Sequence, residues 1–188
     1  MDNFNQRLIE IKNILDLSST KSYSAKIEQS IEVIITTLKK SLPVLVCGNG
    51  GSASDAQHIA GELVGKFLKE RRALNVKALT TDTSVITAWA NDESYDTIFS
   101  RQVEAYGQSG GVLWGISTSG NSRNVLNAVK TANNIGMDVI SMTGDFQTEL
   151  TSLSKININV PSKSTPRIQE LHLIAYHYIC EKVEESFL

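Results

Sequence analysis

This sequence predicts a doubly wound α/β domain: a mainly parallel five-stranded sheet flanked by helices and preceded by two N-terminal helices. Three observations predict it. From Pro43 onward, short β-branched runs alternate with segments of helical period, the order that parallel pairing through helical crossovers requires. The first 40 residues carry helical periodicity only. The 188 residues suffice for one well-buried core and contain no internal repeat, low-complexity tract or linker. The stretch 1–188 therefore reads as a single domain, with 1–40 as a helical extension.

The elements follow in order. Apolar residues at Phe4, Leu8, Ile11 and Leu15, then at Ile27, Ile31, Ile34, Ile35 and Leu38, mark two helices separated by "DLSST". With no strand between them, their stripes must bury against the domain or against a second copy of the chain, which favours an oligomer. "PVLVCG" is a β-branched run ended by glycine, and a helical segment follows it to about Phe67. "NVKALT" reads as a strand, "SVITAWAN" and "DTIFSRQVEAYG" as helices, and "GVLWGIS" as a strand. "SRNVLNAVKTANNIG" is a helix closed by Gly136, before the strands "MDVISMTG" and "KININV". "RIQELHLIAYHYICEKVEESF" is a long terminal helix.

Composition narrows the function. With 41% hydrophobic and 20% charged residues the chain is an ordinary globular sequence. A formal net charge of −2 argues against a nucleic-acid surface, which needs clustered Lys and Arg. No window approaches the roughly 20 apolar residues of a spanning helix, so no membrane is expected. "MDNFNQRLIEIK" lacks the apolar core of a signal peptide, and the expected location is the cytoplasm. Cys47 and Cys180 each fall within an apolar pattern and read as reduced, buried thiols.

Two loops ask for a phosphate. "GNGGS" follows the first strand and opens a helix, so glycine backbone and unpaired helix-start N–H groups can approach an anion closely. It is neither a Walker loop nor a G-x-G-x-x-G fingerprint. "ISTSGNS" follows the "GVLWG" strand and places the hydroxyls of Ser117, Thr118, Ser119 and Ser122 around one glycine. Helix capping would account for Ser122 but not for all four. Both loops belong at the carboxyl edge of one sheet, where such folds bind ligands. A phosphorylated small molecule is the expected ligand.

A second constellation sits on two helices. His58 and Glu62 are spaced i, i+4 and share a face. Gly61 and Gly65 beside them point to close packing against another helix or backbone. The terminal helix carries Gln169, His172 and His177. His58, Glu62, one or both of these histidines and Gln169 would form a zinc site, with an amide as an unusual ligand. Spacing does not choose between His172 and His177.

The blocks "CGNGGSASDAQHIAGELVGKF", "TTDTS", "WANDESYDTIFSRQVEAYG", "GISTSGNSRNVLNAV" and "RIQELHLIAYHYI" together resemble the sedoheptulose 7-phosphate isomerases, or phosphoheptose isomerases, of the sugar-isomerase (SIS) fold. The resemblance runs from about Val44 to the C-terminus, and the helical N-terminus fits it. It implies a homotetramer whose active sites are built from neighbouring subunits, with 1–40 used in oligomer packing. It implies conversion of sedoheptulose 7-phosphate to D-glycero-D-manno-heptose 7-phosphate through an enediol, the start of activated-heptose synthesis for bacterial surface glycans. The family's substrate contacts fall on Asn49, Gly50, Gly51, Ser52, Glu62, Asn91, Asp92, Ser117, Thr118, Ser119, Ser122 and Gln169. Its zinc ligands, one ion per subunit, fall on His58, Glu62, Gln169 and His177, leaving His172 aside. Glu62 is the expected base and His177 its acid/base partner.

Two departures stand out. Lys66 occupies the place of an arginine in the family's "TGR" segment, and Pro166 that of an aspartate in "DRIQE". Lysine loses arginine's forked geometry, and proline supplies no carboxylate. The competing readings are an isomerase for another sugar phosphate and a non-enzymatic SIS protein that binds the bacterial replication initiator. That second branch typically lacks the carboxylate corresponding to Glu62 and the histidine corresponding to His177, and this chain has both.

Overall fold

The computed structural model describes residues 3–188. The chain runs α1 (Phe4–Ser18), α2 (Lys21–Lys39), β1 (Val44–Gly48), α3 (Gly51–Val64), β2 (Val76–Ala78) and α4 (Thr83–Asp92). It continues with α5 (Ile98–Tyr106), β3 (Val112–Ile116), α6 (Arg123–Ile135), β4 (Asp138–Thr143), α7 (Glu149–Leu153), β5 (Ile156–Asn159) and α8 (Thr165–Glu185). A 3₁₀ turn at Tyr95–Thr97 precedes α5. The five strands pair in the order β2-β1-β3-β4-β5, all parallel, so the mainly parallel sheet expected from sequence is wholly so.

Strand side chains alternate between two cores, which is why both faces need helices. Val44, Val46, Val112, Trp114, Ile116, Ile140 and Met142 face one core, shared with Ile34 and Leu38 of α2, Ile59 of α3 and Tyr176 and Ile179 of α8. Leu45, Cys47, Leu113 and Val139 face the other, against Phe99 and Val103 of α5 and Val125 and Val129 of α6. Helix α1 packs more lightly, with Ile14 against Val160, Ile168 and Leu171. Both cysteines are buried and unpaired, and burial pushes the Cys47 thiol up to about 12.

Local chemistry explains the ends. Gly136 takes a left-handed conformation (φ 85°) and closes α6, its N–H reaching Ala132 O, as the sequence predicts. Pro166 lies in the first turn of α8, where its missing N–H costs nothing. Helix α3 ends at Val64 rather than near Phe67, because Gly65 caps it through an N–H bond to Gly61 O. Gly61 itself faces open space: a Cβ there would meet nothing within 4 Å. The close packing expected at this glycine is therefore absent within the chain. The five-residue α7 went unread in the sequence, being too short to show a period.

Candidate active site

Strands β1 and β3 are neighbours, yet the chain leaves β1 toward β2 on one side and returns through β3 to the other. The loops after them diverge at this switch point and open a crevice at the carboxyl edge of the sheet. A cleft of ≈ 310 Å³ lies there, lined by Asn49, Gly50, Gly51, Ser52, Ser117, Thr118, Ser122 and Gln169, with Ile116 and Thr165. Among the described residues no lysine or arginine lines it. Gly50 adopts φ 56°, a left-handed turn that an L side chain would strain. A Cβ on Gly51 would drive into the Gln169 amide, so glycine allows α8 to lie against this loop.

Helix ends are the cleft's main feature for holding an anion. Helices α1, α2, α4 and α7 are capped by the side chains of Asn3, Thr20, Asp82 and Thr148. The three helices that start at the cleft, α3, α6 and α8, have no side-chain cap bond, and neither has α5, which continues directly from the 3₁₀ turn. Some first-turn amides are already used, Ser52 N and Ala53 N by Asn49 O and Gly50 O and Val125 N by Asn124 Oδ1, and Pro166 has none, so it is chiefly the positive dipole ends that favour an anion here. Ser122 stands at the N-cap of α6, but its Oγ lies 2.9 Å from Ser117 Oγ instead of capping the helix. The capping role foreseen for Ser122 is replaced by a pair of hydroxyls on the cleft wall.

The remaining predicted contacts divide. Asn49 is clasped by Asn124, with both amide bonds at 2.8 Å, and its Oδ1 also accepts from the Tyr95 hydroxyl at 3.0 Å. Asn91 and Asp92 end α4, bonded to each other at 2.8 Å and exposed, outside the cleft lining. Ser119 is also exposed, its Oγ accepting from Asn121 N at 3.2 Å within the loop. Lys66 points to solvent 3.6 Å from Glu70 and away from the cleft. Thr165, Asn124 and Tyr95 were not foreseen; on α6, whose exposed side carries several polar residues, a buried Asn124 beside Ser122 had no distinct sequence signal.

One face of α3 meets α8 at a second group. His58 Nε2 lies 2.9 Å from Glu62 Oε1 and 3.5 Å from His177 Nε2. One donor atom from each of these three residues falls within 4.8 Å of the others. A tetrahedral ion with bonds of about 2.0–2.2 Å spaces its ligands by roughly 3.3–3.6 Å, so two imidazole nitrogens and a carboxylate fit a divalent cation here. Burial, with the adjacent His58, lowers the basicity of His177, and Glu62 opposes this. The Phe67 ring stacks on His177 at 5.7 Å and 30°.

The two remaining candidates on α8 part company. His172 is fully buried, its Nε2 3.3 Å from Thr143 O and its Nδ1 without a partner. It is five residues from His177, about 140° around the helix. Gln169 lies at the cleft, against Gly51, eight residues and roughly 12 Å along α8 from His177.

A doubly wound sheet with a cleft at its switch point, beside a His/Glu/His group, is a frame that can hold a small anionic ligand next to a divalent cation. The SIS domain pattern matches residues 9–144. The chain is 47% identical over 169 residues to a phosphoheptose isomerase of Helicobacter pylori (strain P12), covering 90% of this chain and 88% of that one. It is 50% identical over 160 residues to that of Aliarcobacter butzleri (strain RM4018), covering 85% of each. The structure of the phosphoheptose isomerase from Neisseria gonorrhoeae superposes with a TM-score of 0.90 at 40% identity, covering 96% of both chains. The chain belongs to the SIS-domain family and, within it, to the phosphoheptose isomerases.

Proposed function

We propose that the protein is an aldose–ketose isomerase that converts sedoheptulose 7-phosphate to D-glycero-D-manno-heptose 7-phosphate, for the synthesis of activated heptose used in bacterial surface glycans. The observation that carries this reading is the meeting of Glu62 and His177 across α3 and α8. Family membership and the cation-free phosphate cleft support it.

In this mechanism the phosphate seats on the starts of α3, α6 and α8, with the hydroxyls of Ser52, Ser117, Thr118 and Ser122 around it. Ser119, Asn91 and Asp92 join the sugar contacts when substrate and neighbouring subunits close the site. Glu62 removes the proton from C1 of the ketose as the carbonyl oxygen on C2 gains one, giving the enediol. The proton returns to C2 while O1 gives up its own. His177, kept close to neutral imidazole by burial and His58, moves protons between the two oxygens.

His58, Glu62 and His177 would hold one zinc ion per subunit, which would polarise the carbonyl when bound. Glu62 can act as base where its bond to the metal is loose or exchanges on substrate binding. Gln169, at the cleft, is assigned to the substrate and, as a fourth donor, to the metal. We further infer that 1–188 works as one domain in the cytoplasm, and that 1–40 serves packing in a homotetramer. Among the described residues no helix is long and apolar enough to cross a membrane. Exposed Phe4, Leu8, Ile9 and Leu17 on α1, and Ile174 and Tyr178 on α8, support the packing role.

Aldose formation from sedoheptulose 7-phosphate, followed for wild type and Glu62→Gln, tests the proposal. Turnover by wild type alone supports it. A zinc-supplied wild type that forms no aldose refutes it and favours another sugar phosphate or an initiator-binding role.

A further inference from the structure

Behind the His/Glu/His group lies a hydrogen-bonded chain that the isomerase reading does not use. Tyr176 is fully buried, and its ring meets His58 edge-on, with centroids 5.5 Å apart at 73°. Its hydroxyl sits between two groups, 3.0 Å from His58 Nδ1 and 3.4 Å from Asp55 Oδ1. Asp55 lies one turn before His58 on α3, and its second oxygen, Oδ2, is buried with no partner.

A phenol carries one proton to donate. Were that proton given to His58 Nδ1, neither oxygen of the Asp55 carboxylate would accept a hydrogen bond, a costly arrangement for a half-buried acid. Given to Asp55, the same proton leaves the phenol oxygen free to accept from His58 Nδ1–H. The imidazole is then oriented from behind, with Nε2 directed at Glu62 Oε1 and His177 Nε2.

We propose that Tyr176, backed by Asp55, is a positioning residue that holds His58 with its proton on Nδ1, so that Nε2 offers its lone pair to a divalent cation. This rests on the metal reading of His58, Glu62 and His177. A histidine that binds metal through one nitrogen is commonly fixed by a hydrogen bond from the other. Here a tyrosine relays that bond to a carboxylate on the histidine's own helix.

The test is zinc affinity of the metal-stripped, full-length protein, measured by competition with a chromophoric chelator. Tyr176→Phe keeps the buried ring, so its metal-free melting temperature stays near that of wild type while zinc binding weakens about 10- to 100-fold. Asp55→Ala, a change outside the fully buried core, weakens zinc binding in the same direction. In zinc-loaded wild type, ¹⁵N spectra show a protonated Nδ1 on His58. Wild-type affinity in Tyr176→Phe, or zinc bound through Nδ1, overturns the proposal and leaves the metal reading standing. A wild type that takes up no zinc overturns both.

Discussion

Glu184, near the end of α8, is 1% exposed and accepts from three consecutive backbone amides: Phe67 N at 2.8 Å, Leu68 N at 2.7 Å and Lys69 N at 2.9 Å. The Arg71 guanidinium, with no exposed side-chain surface, stands 3.6 Å away. Burial pushes the Glu184 carboxyl up, but those amides and Arg71 outweigh it and hold it below the usual carboxylate range. Arg71 in turn donates to the carbonyls of Glu62 at 2.7 Å and Gly65 at 2.8 Å. The pair thus ties the loop after α3 to α8 and fixes both Glu62 and Phe67, the ring stacked on His177. Glu184→Ala leaves three donors and a buried cation without their acceptor, a loss of about 3–5 kcal/mol. At about 2–4 °C per kcal/mol for a chain of this size, the melting temperature falls by about 6–20 °C. Calorimetry of wild type and Glu184→Ala measures it. Adding Arg71→Met recovers part of the loss, since the stranded charge goes with its partner. A melting temperature within about 2 °C of wild type for Glu184→Ala would refute the reasoning.

Other predictions concern acid stability and the cleft. Burial lowers His172 from its ordinary value to about 4, so the folded state favours the neutral ring. That contribution is complete above the unfolded pKa near 6.5 and is lost as pH falls from there through about 4, reaching about 2 kcal/mol by pH 5. Urea midpoints at pH 7 and pH 5 should therefore drop further in wild type than in His172→Gln, and parallel drops would count against it. Ser122→Ala should shift the melting temperature by no more than about 2 °C, because the hydroxyl caps nothing, yet raise KM for the sugar phosphate about tenfold. Thr20→Ala, which removes a cap bond to Tyr23 N, should instead cost about 1 kcal/mol and leave KM alone. Gly51→Ala should raise KM by displacing the Gln169 amide, whereas Gly50→Ala should mainly lower stability, by about 1–3 kcal/mol, through its left-handed φ.

The local sequence determined much of this protein. β-branched runs ended by Gly48 and Gly144, helical periods between them and glycine at 136 specify the elements, because these signals act over one or two turns of chain. Glycines and hydroxyls placed directly after two strands pointed to the cleft that the fold opens there, for the same reason. The i, i+4 spacing of His58 and Glu62 also put them on one face before any fold was known. What lay beyond reach joins residues distant in sequence. The order β2-β1-β3-β4-β5 comes from pairings between segments tens of residues apart, and with it the switch point that sets the two loops together. Whether His172 or His177 meets α3 depends on which side of α8 packs inward, since an apolar stripe surrounds both. Burial decided it, turning His172 into the sheet side and His177 toward His58. Capping was equally out of reach: Ser122 and Ser164 are ordinary capping residues, yet neither side chain caps its helix, and only the fold brings the starts of α3, α6 and α8 to one cleft.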